Sequence, residues 1–257
     1  MISRAEMKWI RSLDRKSVRD KEGVFVAEGA KVVNELMPHF RCFLLIATES
    51  ALSCIDNQQA ERTEVVPESF PFDKVSQLES PQPIIAIFYR PQYSAPSLEY
   101  LRGLTLLLDT VQDPGNVGSI IRSAAWFGVG TIFLTPGTAD PFGSKVVRAT
   151  MGALGQTRII TLEEPGKLLQ EARQAGLNIY GTFLHGPSIR EIQFPSPQEK
   201  ALLLMGNEGQ GISSDLAAYC NKPVHIPPAA NPKGHPESLN VAVATAIMLF
   251  HWQGTKS

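Results

Sequence analysis

The chain has 257 residues, 43% of them hydrophobic and 19% charged, with a formal net charge of −1. That make-up describes one large or two ordinary folded domains and excludes both a disordered chain and a uniformly basic nucleic-acid binder. Cys42, Cys54 and Cys220 are odd in number and lack CxxC spacing, which excludes a disulfide framework or zinc knuckle and fits a cytoplasmic location, with no metal expected.

Met1-Ile-Ser-Arg-Ala-Glu6 carries no apolar signal-peptide core, and no apolar run reaches the length of a membrane span, so neither secretion nor membrane insertion is expected. Ser3-Arg-Ala-Glu6 has capping-box spacing. Met7, Ile10 and Leu13 follow at helical spacing, which predicts an amphipathic helix ending near Arg15. Residues 1–21 hold seven basic side chains, Arg4, Lys8, Arg11, Arg15, Lys16, Arg19 and Lys21, against Glu6, Asp14 and Asp20, a local charge of +4. Such a run suits a polyanion, and equally the solvated face of a helix. Strands are expected over residues 24–27, 42–46, 63–66 and 84–88, and helices over 29–37 and 73–78. Pro91-Gln-Tyr-Ser-Ala-Pro-Ser97 has linker chemistry and divides an α/β domain over residues 1–92 from a second over 98–257.

Beyond the linker, strands are expected over 104–109, 131–134, 157–160, 178–183, 201–205 and 224–226. Helices are expected over 116–127, 144–149, 165–175 and 239–251. This alternation, with near-continuous apolar strands, is the pattern of a parallel sheet covered by helices on both faces.

In open sheets of this kind ligands sit outside the carboxyl ends of strands, and three strand exits carry polar or glycine-rich sequence. The first is Leu106-Leu-Leu-Asp-Thr-Val-Gln-Asp-Pro-Gly-Asn116, with Gly118 permitting close backbone approach and Arg122 one turn and a half further along a helix. Arginine suits a phosphate held in fork geometry, although Asp113-Pro-Gly-Asn116 also reads as a plain turn and N-cap with Arg122 facing solvent. The second is Leu202-Leu-Leu-Met-Gly-Asn-Glu-Gly-Gln-Gly211, three glycines around Glu208, which matches neither a dinucleotide fingerprint nor a phosphate loop. The third is Ile226 through Asn240, where Ser238 and Asn240 stand at a helix start that also reads as an ordinary Ser238 N-cap. No G-x-S-x-G elbow, H-E-x-x-H spacing or carboxylate pair is present, which removes hydrolase and metalloenzyme readings.

Together these segments resemble the motifs of the SpoU (TrmH) family of RNA ribose 2′-O-methyltransferases, in the deep trefoil-knot superfamily. Asn116-Val-Gly-Ser-Ile-Ile-Arg122 is similar to its first motif, Met205-Gly-Asn-Glu-Gly-Gln-Gly211 to its second, and Ile226-Pro227 with Ser238-Leu-Asn-Val-Ala-Val-Ala244 to its third. Lys145-Val-Val-Arg-Ala-Thr-Met-Gly152 is similar to a stretch of the ribosomal-RNA branch, and Phe25-Val-Ala-Glu-Gly29 to the family's L30e-like substrate-binding module. Two departures stand out. The loop between Ile226 and Ser238 is longer than usual, and Thr150 stands where serine is commoner.

The resemblance implies an L30e-like α/β domain followed by a knotted parallel-sheet domain; the knot comes from the resemblance alone, since spacing does not reveal threading. It implies S-adenosylmethionine, held around Met205, Gly206, Gly209, Ile226, Pro228 and Leu239. Catalytic roles fall to Arg122, Asn116, Glu208, Ser238 and Asn240. It also implies a homodimer in which Arg122 acts on the partner's cofactor, and an RNA substrate, ribosomal RNA before transfer RNA. The alternatives are a transfer-RNA methyltransferase and a non-catalytic RNA-binding module of the same fold. A nucleotide-binding dehydrogenase is a third, but it lacks its glycine fingerprint here.

Overall fold

The computed structural model describes residues 2–56, 59–93, 96–196, 198–229 and 237–254. In chain order the elements are α1 (Arg4–Ser12), α2 (Lys16–Glu22), β1 (Val24–Glu28), α3 (Ala30–Leu36), β2 (Cys42–Thr48), α4 (Glu49–Leu52), β3 (Ala60–Val66) and β4 (Ile84–Tyr89). Then follow β5 (Leu104–Leu108), α5 (Pro114–Trp126), β6 (Thr131–Leu134), α6 (Ser144–Thr150), β7 (Arg158–Thr161) and α7 (Pro165–Gln174). The last are β8 (Asn178–Thr182), β9 (Ala201–Met205), α8 (Ser214–Ala217), β10 (Lys222–Val224) and α9 (Val241–Gly254). They form two compact units, Met1–Gln92 with Asp140–Gln156, and Tyr93–Ala139 with Thr157–Ser257.

In the first unit the capping box at Ser3 and Glu6 is formed in both directions and starts α1. The four-stranded sheet has the order β1-β4-β2-β3, antiparallel except for the β2–β3 pair. Alternate residues Val24, Val26, Leu44, Ile46, Ile85 and Ile87 pack with Ile10 of α1 and with Leu13, which caps its C-terminus. On the opposite face Phe25 packs against Phe40, Phe88 and Phe142. With both faces covered, β1 and β4 are buried almost throughout, which is why they read as unbroken apolar runs.

Phe142 belongs to the segment 140–156, which the sequence reading places in the second domain but which packs in the first unit. Its anchors are specific. Arg19, 4% exposed, donates to Asp140 at 2.5 Å and to the carbonyls of Leu13 and Asp14, and the Arg90 guanidinium lies 4.5 Å above the Phe142 ring. Gly152, at φ +91°, lies so close to α3 that a Cβ would come within 2.2 Å of Glu35 Cβ.

The second unit is a six-stranded sheet of order β10-β8-β9-β5-β6-β7 in which every pairing is parallel. β5 and β9 at its centre are fully buried. α5 turns Val117, Ile120, Ile121 and Ala124 inward, and α9 turns Val241, Met248, Leu249 and Trp252 inward.

Several expected boundaries move. The helix over 73–78 is a 3-10 turn at Phe72–Lys74, because Glu28 accepts hydrogen bonds from Ser76 Oγ and Gln77 N and holds the following chain out of a helix. The strand over 224–226 is Lys222–Val224, and α9 begins at Val241 rather than residue 239. Ser94 and Ala95 of the linker lie outside the described residues, as do residues 230–236 of the long loop, His235 among them.

Candidate active site

From β5 the chain passes to β6 on one side, while β9 borders β5 on the other, so the exits of β5 and β9 flank the point where strand order reverses. Crevices at such points are where parallel sheets bind ligands. Pro114 opens α5, and Asp113 caps it by accepting from the backbone N–H of Asn116 at 2.7 Å. This places Asn116 in the first turn, beside the β9 exit. Its Nδ2 donates to Glu208 Oε1 at 2.8 Å, and its Oδ1 accepts from Asn240 Nδ2 at 2.9 Å. All three polar exits therefore meet, through Asn116.

The β9 exit folds on itself. Asn207 and Gly211 exchange both backbone hydrogen bonds, and Asn207 Oδ1 accepts from the N–H groups of Gly209 and Gln210. A Cβ on Gly206 would lie 2.1 Å from the Gly211 carbonyl carbon and 2.2 Å from Ile212 N. Glycine at 206 is thus demanded by the loop's own closure. Met205 precedes it as the buried end of β9, and Glu208 projects from the exposed crown.

The remaining sequence candidates fall into three groups. Asn240, not Ser238, caps α9: its Oδ1 accepts from the N–H groups of Ala242 and Val243, and Ser238 lies exposed two residues earlier. Arg122 is exposed on α5 and forms no hydrogen bond or ion pair among the described residues, so Glu208 holds Asn116 and not Arg122. Ile226 and Pro228 follow β10, half-buried and exposed respectively, while Leu239 is 50% exposed.

Sequence reasoning missed Asp109, Thr135 and Asn207. Asp109 is 2% exposed and accepts from Thr135 Oγ1 and Ser213 N, and Asn207 Nδ2 donates to the Thr110 carbonyl. The available signal was a carboxylate directly after the buried run Leu104–Leu108, since a charge is seldom buried without a purpose.

Residues 103–250 match the model of the SpoU rRNA Methylase family. The chain belongs to that family. It is accordingly an S-adenosylmethionine-dependent RNA methyltransferase. Residues 4–86 match the MRM3-like substrate binding domain. The 23S rRNA (guanosine(2553)-2'-O)-methyltransferase RlmP of Bacillus subtilis is 32% identical to this SpoU chain over 248 residues, 95% of this chain and 94% of that one. Among solved structures, a TrmH-family protein of Porphyromonas gingivalis superposes with TM-score 0.90 at 41% identity, covering 98% of each chain. An AdoMet-bound rRNA methyltransferase of Sinorhizobium meliloti superposes with TM-score 0.81 at 30% identity, covering 100% of this chain and 98% of that one.

The residues present fit that cofactor. The carbonyls of Ile226 and Pro227, just after β10, accept no backbone hydrogen bond among the described residues, which leaves acceptors of the kind an adenine amino group requires. Ile226 and Leu239 add apolar surface that is not fully covered.

Proposed function

We propose that this chain transfers a methyl group from S-adenosylmethionine to a ribose 2′-hydroxyl of ribosomal RNA. The observation that carries the reading is the hydrogen-bonded row Glu208–Asn116–Asn240 at the switch point, with Arg122 unengaged on the same helix as Asn116. Met205, Gly206, Gly209, Ile226, Pro228 and Leu239 would hold the cofactor, whose sulfonium supplies an electrophilic methyl group. Asn116, its amide fixed by Glu208 and Asn240, orients the ribose, and Ser238 completes the pocket rim.

A guanidinium stays protonated in proteins, so Arg122 is a poor general base. It stabilises the nascent alkoxide and clamps the neighbouring phosphate, while that phosphate or a water accepts the proton. Ribosomal RNA is favoured over transfer RNA by the relatives named above, and the exposed Arg4, Lys8 and Arg11, spaced along one face of α1, supply salt-sensitive affinity for it.

The same reading includes a homodimer, the deep knot implied by the family resemblance, and a cytoplasmic location. No helix among the described residues is long and apolar enough to cross a membrane. The test is transfer of labelled methyl to ribosomal and transfer RNA from a strain lacking the gene, with ribose 2′-O-methyls mapped afterwards. Arg122→Ala should still bind S-adenosylmethionine and lose transfer, and transfer at the wild-type rate would refute its role.

A further inference from the structure

Asp109 is a carboxylate buried at the end of β5 with no cation paired to it among the described residues. Its two oxygens face two different neighbours. Oδ1 accepts from Thr135 Oγ1 at 3.2 Å, just past the end of β6, and Oδ2 accepts from Ser213 N at 2.8 Å, where the β9 loop closes. Thr135 Oγ1 in turn accepts from Thr110 N at 2.9 Å, and Asn207 Nδ2 donates to the Thr110 carbonyl at 2.8 Å. The amide and carbonyl of Thr110 are thereby both fixed.

Thr110 has φ +52°, in the left-handed region that a β-branched residue seldom adopts. Such backbone persists where surrounding contacts over-determine it, and these clusters occur at functional sites. Here the contacts come from the β6 and β9 exits. From this strained residue the chain runs six positions to Asn116, and from the anchored Ser213 it runs back five to Glu208.

We infer that Asp109 is a positioning residue for methyl transfer: by bridging Thr135 and the Ser213 amide it sets the separation of the loops that carry Asn116 and Glu208. A carboxylate suits this because it accepts from two sides at once and strengthens its bond to a backbone N–H. The inference rests on the proposed function, since the positioned pair is the one assigned to the ribose.

The test compares the full-length wild type, Asp109→Ala and Asp109→Asn in three measurements: kcat and KM for S-adenosylmethionine on a ribosomal RNA substrate, cofactor affinity by calorimetry, and thermal melting. Asp109→Ala should lose about 100-fold in kcat, with KM and cofactor affinity changed by less than about threefold. Asp109→Asn should recover kcat to within about threefold, because the replacement amide can accept from Ser213 N and donate to Thr135 Oγ1. A folded Asp109→Ala with wild-type kcat overturns the inference, and so does one whose only change is a lower melting temperature.

If Asp109→Ala does not fold, Thr135→Val carries the test by removing one hydroxyl at nearly constant volume. Its kcat should fall about 10-fold, and an unchanged kcat overturns the inference. A wild type that transfers no methyl to any RNA refutes the functional reading instead, so the two failures are told apart.

Discussion

Asn116 and Glu208, 92 positions apart, are joined by a 2.8 Å hydrogen bond whose direction is not free to reverse. An ionised carboxylate only accepts, so Asn116 must present Nδ2 to Glu208 and Oδ1 to Asn240. At the other end Ala242 N only donates, which turns Asn240 Oδ1 toward α9 and its Nδ2 toward Asn116. Both amide orientations are thus set by groups that have no choice. This row joins three strand exits and, among the described residues, commits one of the two Asn116 amide hydrogens and one of its two carbonyl lone pairs, so the proposed role has a donor and an acceptor left for the ribose.

Removing the middle of the row should therefore harm catalysis more than folding. Asn116→Ala is expected to lower single-turnover methyl transfer about 100-fold while costing about 1 kcal/mol of stability, because Glu208 and Asn240 can rehydrate at an open site. Asn116→Asp should be at least as damaging, since it sets a second carboxylate against Glu208 and cannot donate. Rapid-quench transfer and chemical denaturation check both expectations.

Much of the second unit was legible because its inner strands β5, β6 and β9 are buried on both faces. Ile132–Leu134 of β6 and Ala201–Met205 of β9 read as unbroken apolar runs and occur as such. Elements without an apolar signature were not legible: α2 is Lys-Ser-Val-Arg-Asp-Lys-Glu, and α8 is only four residues long. The meeting of Asn116, Glu208 and Asn240 followed from placing all three at strand exits and a helix start. The choice of Asn240 over Ser238 as the cap did not follow, because both residue types cap helices and only the observed start at Val241 decides between them. Likewise, nothing local shows that Asp140–Gln156 packs with the first unit, since that depends on Asp140 reaching Arg19 across 121 positions. Asp109 carried a signal, a charge ending an apolar strand, but its donors lie on β6 and β9 exits that spacing alone does not pair.

Gly206→Ala tests the claim that the β9 loop's own closure demands glycine. The added methyl would meet the backbone at Gly211 and Ile212, which cannot swing aside as a side-chain tip could. A loss of about 3 kcal/mol is expected, as for an overpacked core, together with loss of cofactor binding. Denaturant titration with calorimetry measures both. An alanine protein of wild-type stability would show that the loop is not closed in this way.

One charged contact in the first unit gives a pH signature. The Ser3 backbone N–H, followed by the Arg62 guanidinium and the Ser3 hydroxyl, holds the Glu6 carboxyl down at about 2, against an ordinary value of 4.5. Because the folded value is depressed, the contribution of Glu6 is fully present above pH 4.5 and is lost as pH falls toward 2. The melting temperature of wild type should exceed that of Glu6→Gln at neutral pH, and the difference should shrink across that window. A difference independent of pH would mean that the ionised and protonated carboxyl stabilise the fold equally, so that these contacts do not depress its pKa.

The homodimer of the proposed function makes the sharpest demand on the surface. Trp126 is 86% exposed and Phe250 69% exposed, and with Phe127 and Gln253 they line one open hollow where the ends of α5 and α9 meet. Large aromatic side chains left together in water mark a surface that binds a partner, and a second copy of this chain is the partner the proposal names. Trp126→Asp combined with Phe250→Asp should convert a sedimenting dimer to a monomer without altering the circular dichroism, since neither side chain is part of the core. Transfer should vanish with the dimer if Arg122 serves the partner's cofactor. A mixing experiment then separates service in trans from mere loss of shape. When Arg122→Ala and Asn240→Ala chains are unfolded and refolded together, half the dimers are mixed and each has one intact site, so about a quarter of wild-type activity should return. If Arg122 acts within its own chain, no site in the mixture is complete and activity stays at background.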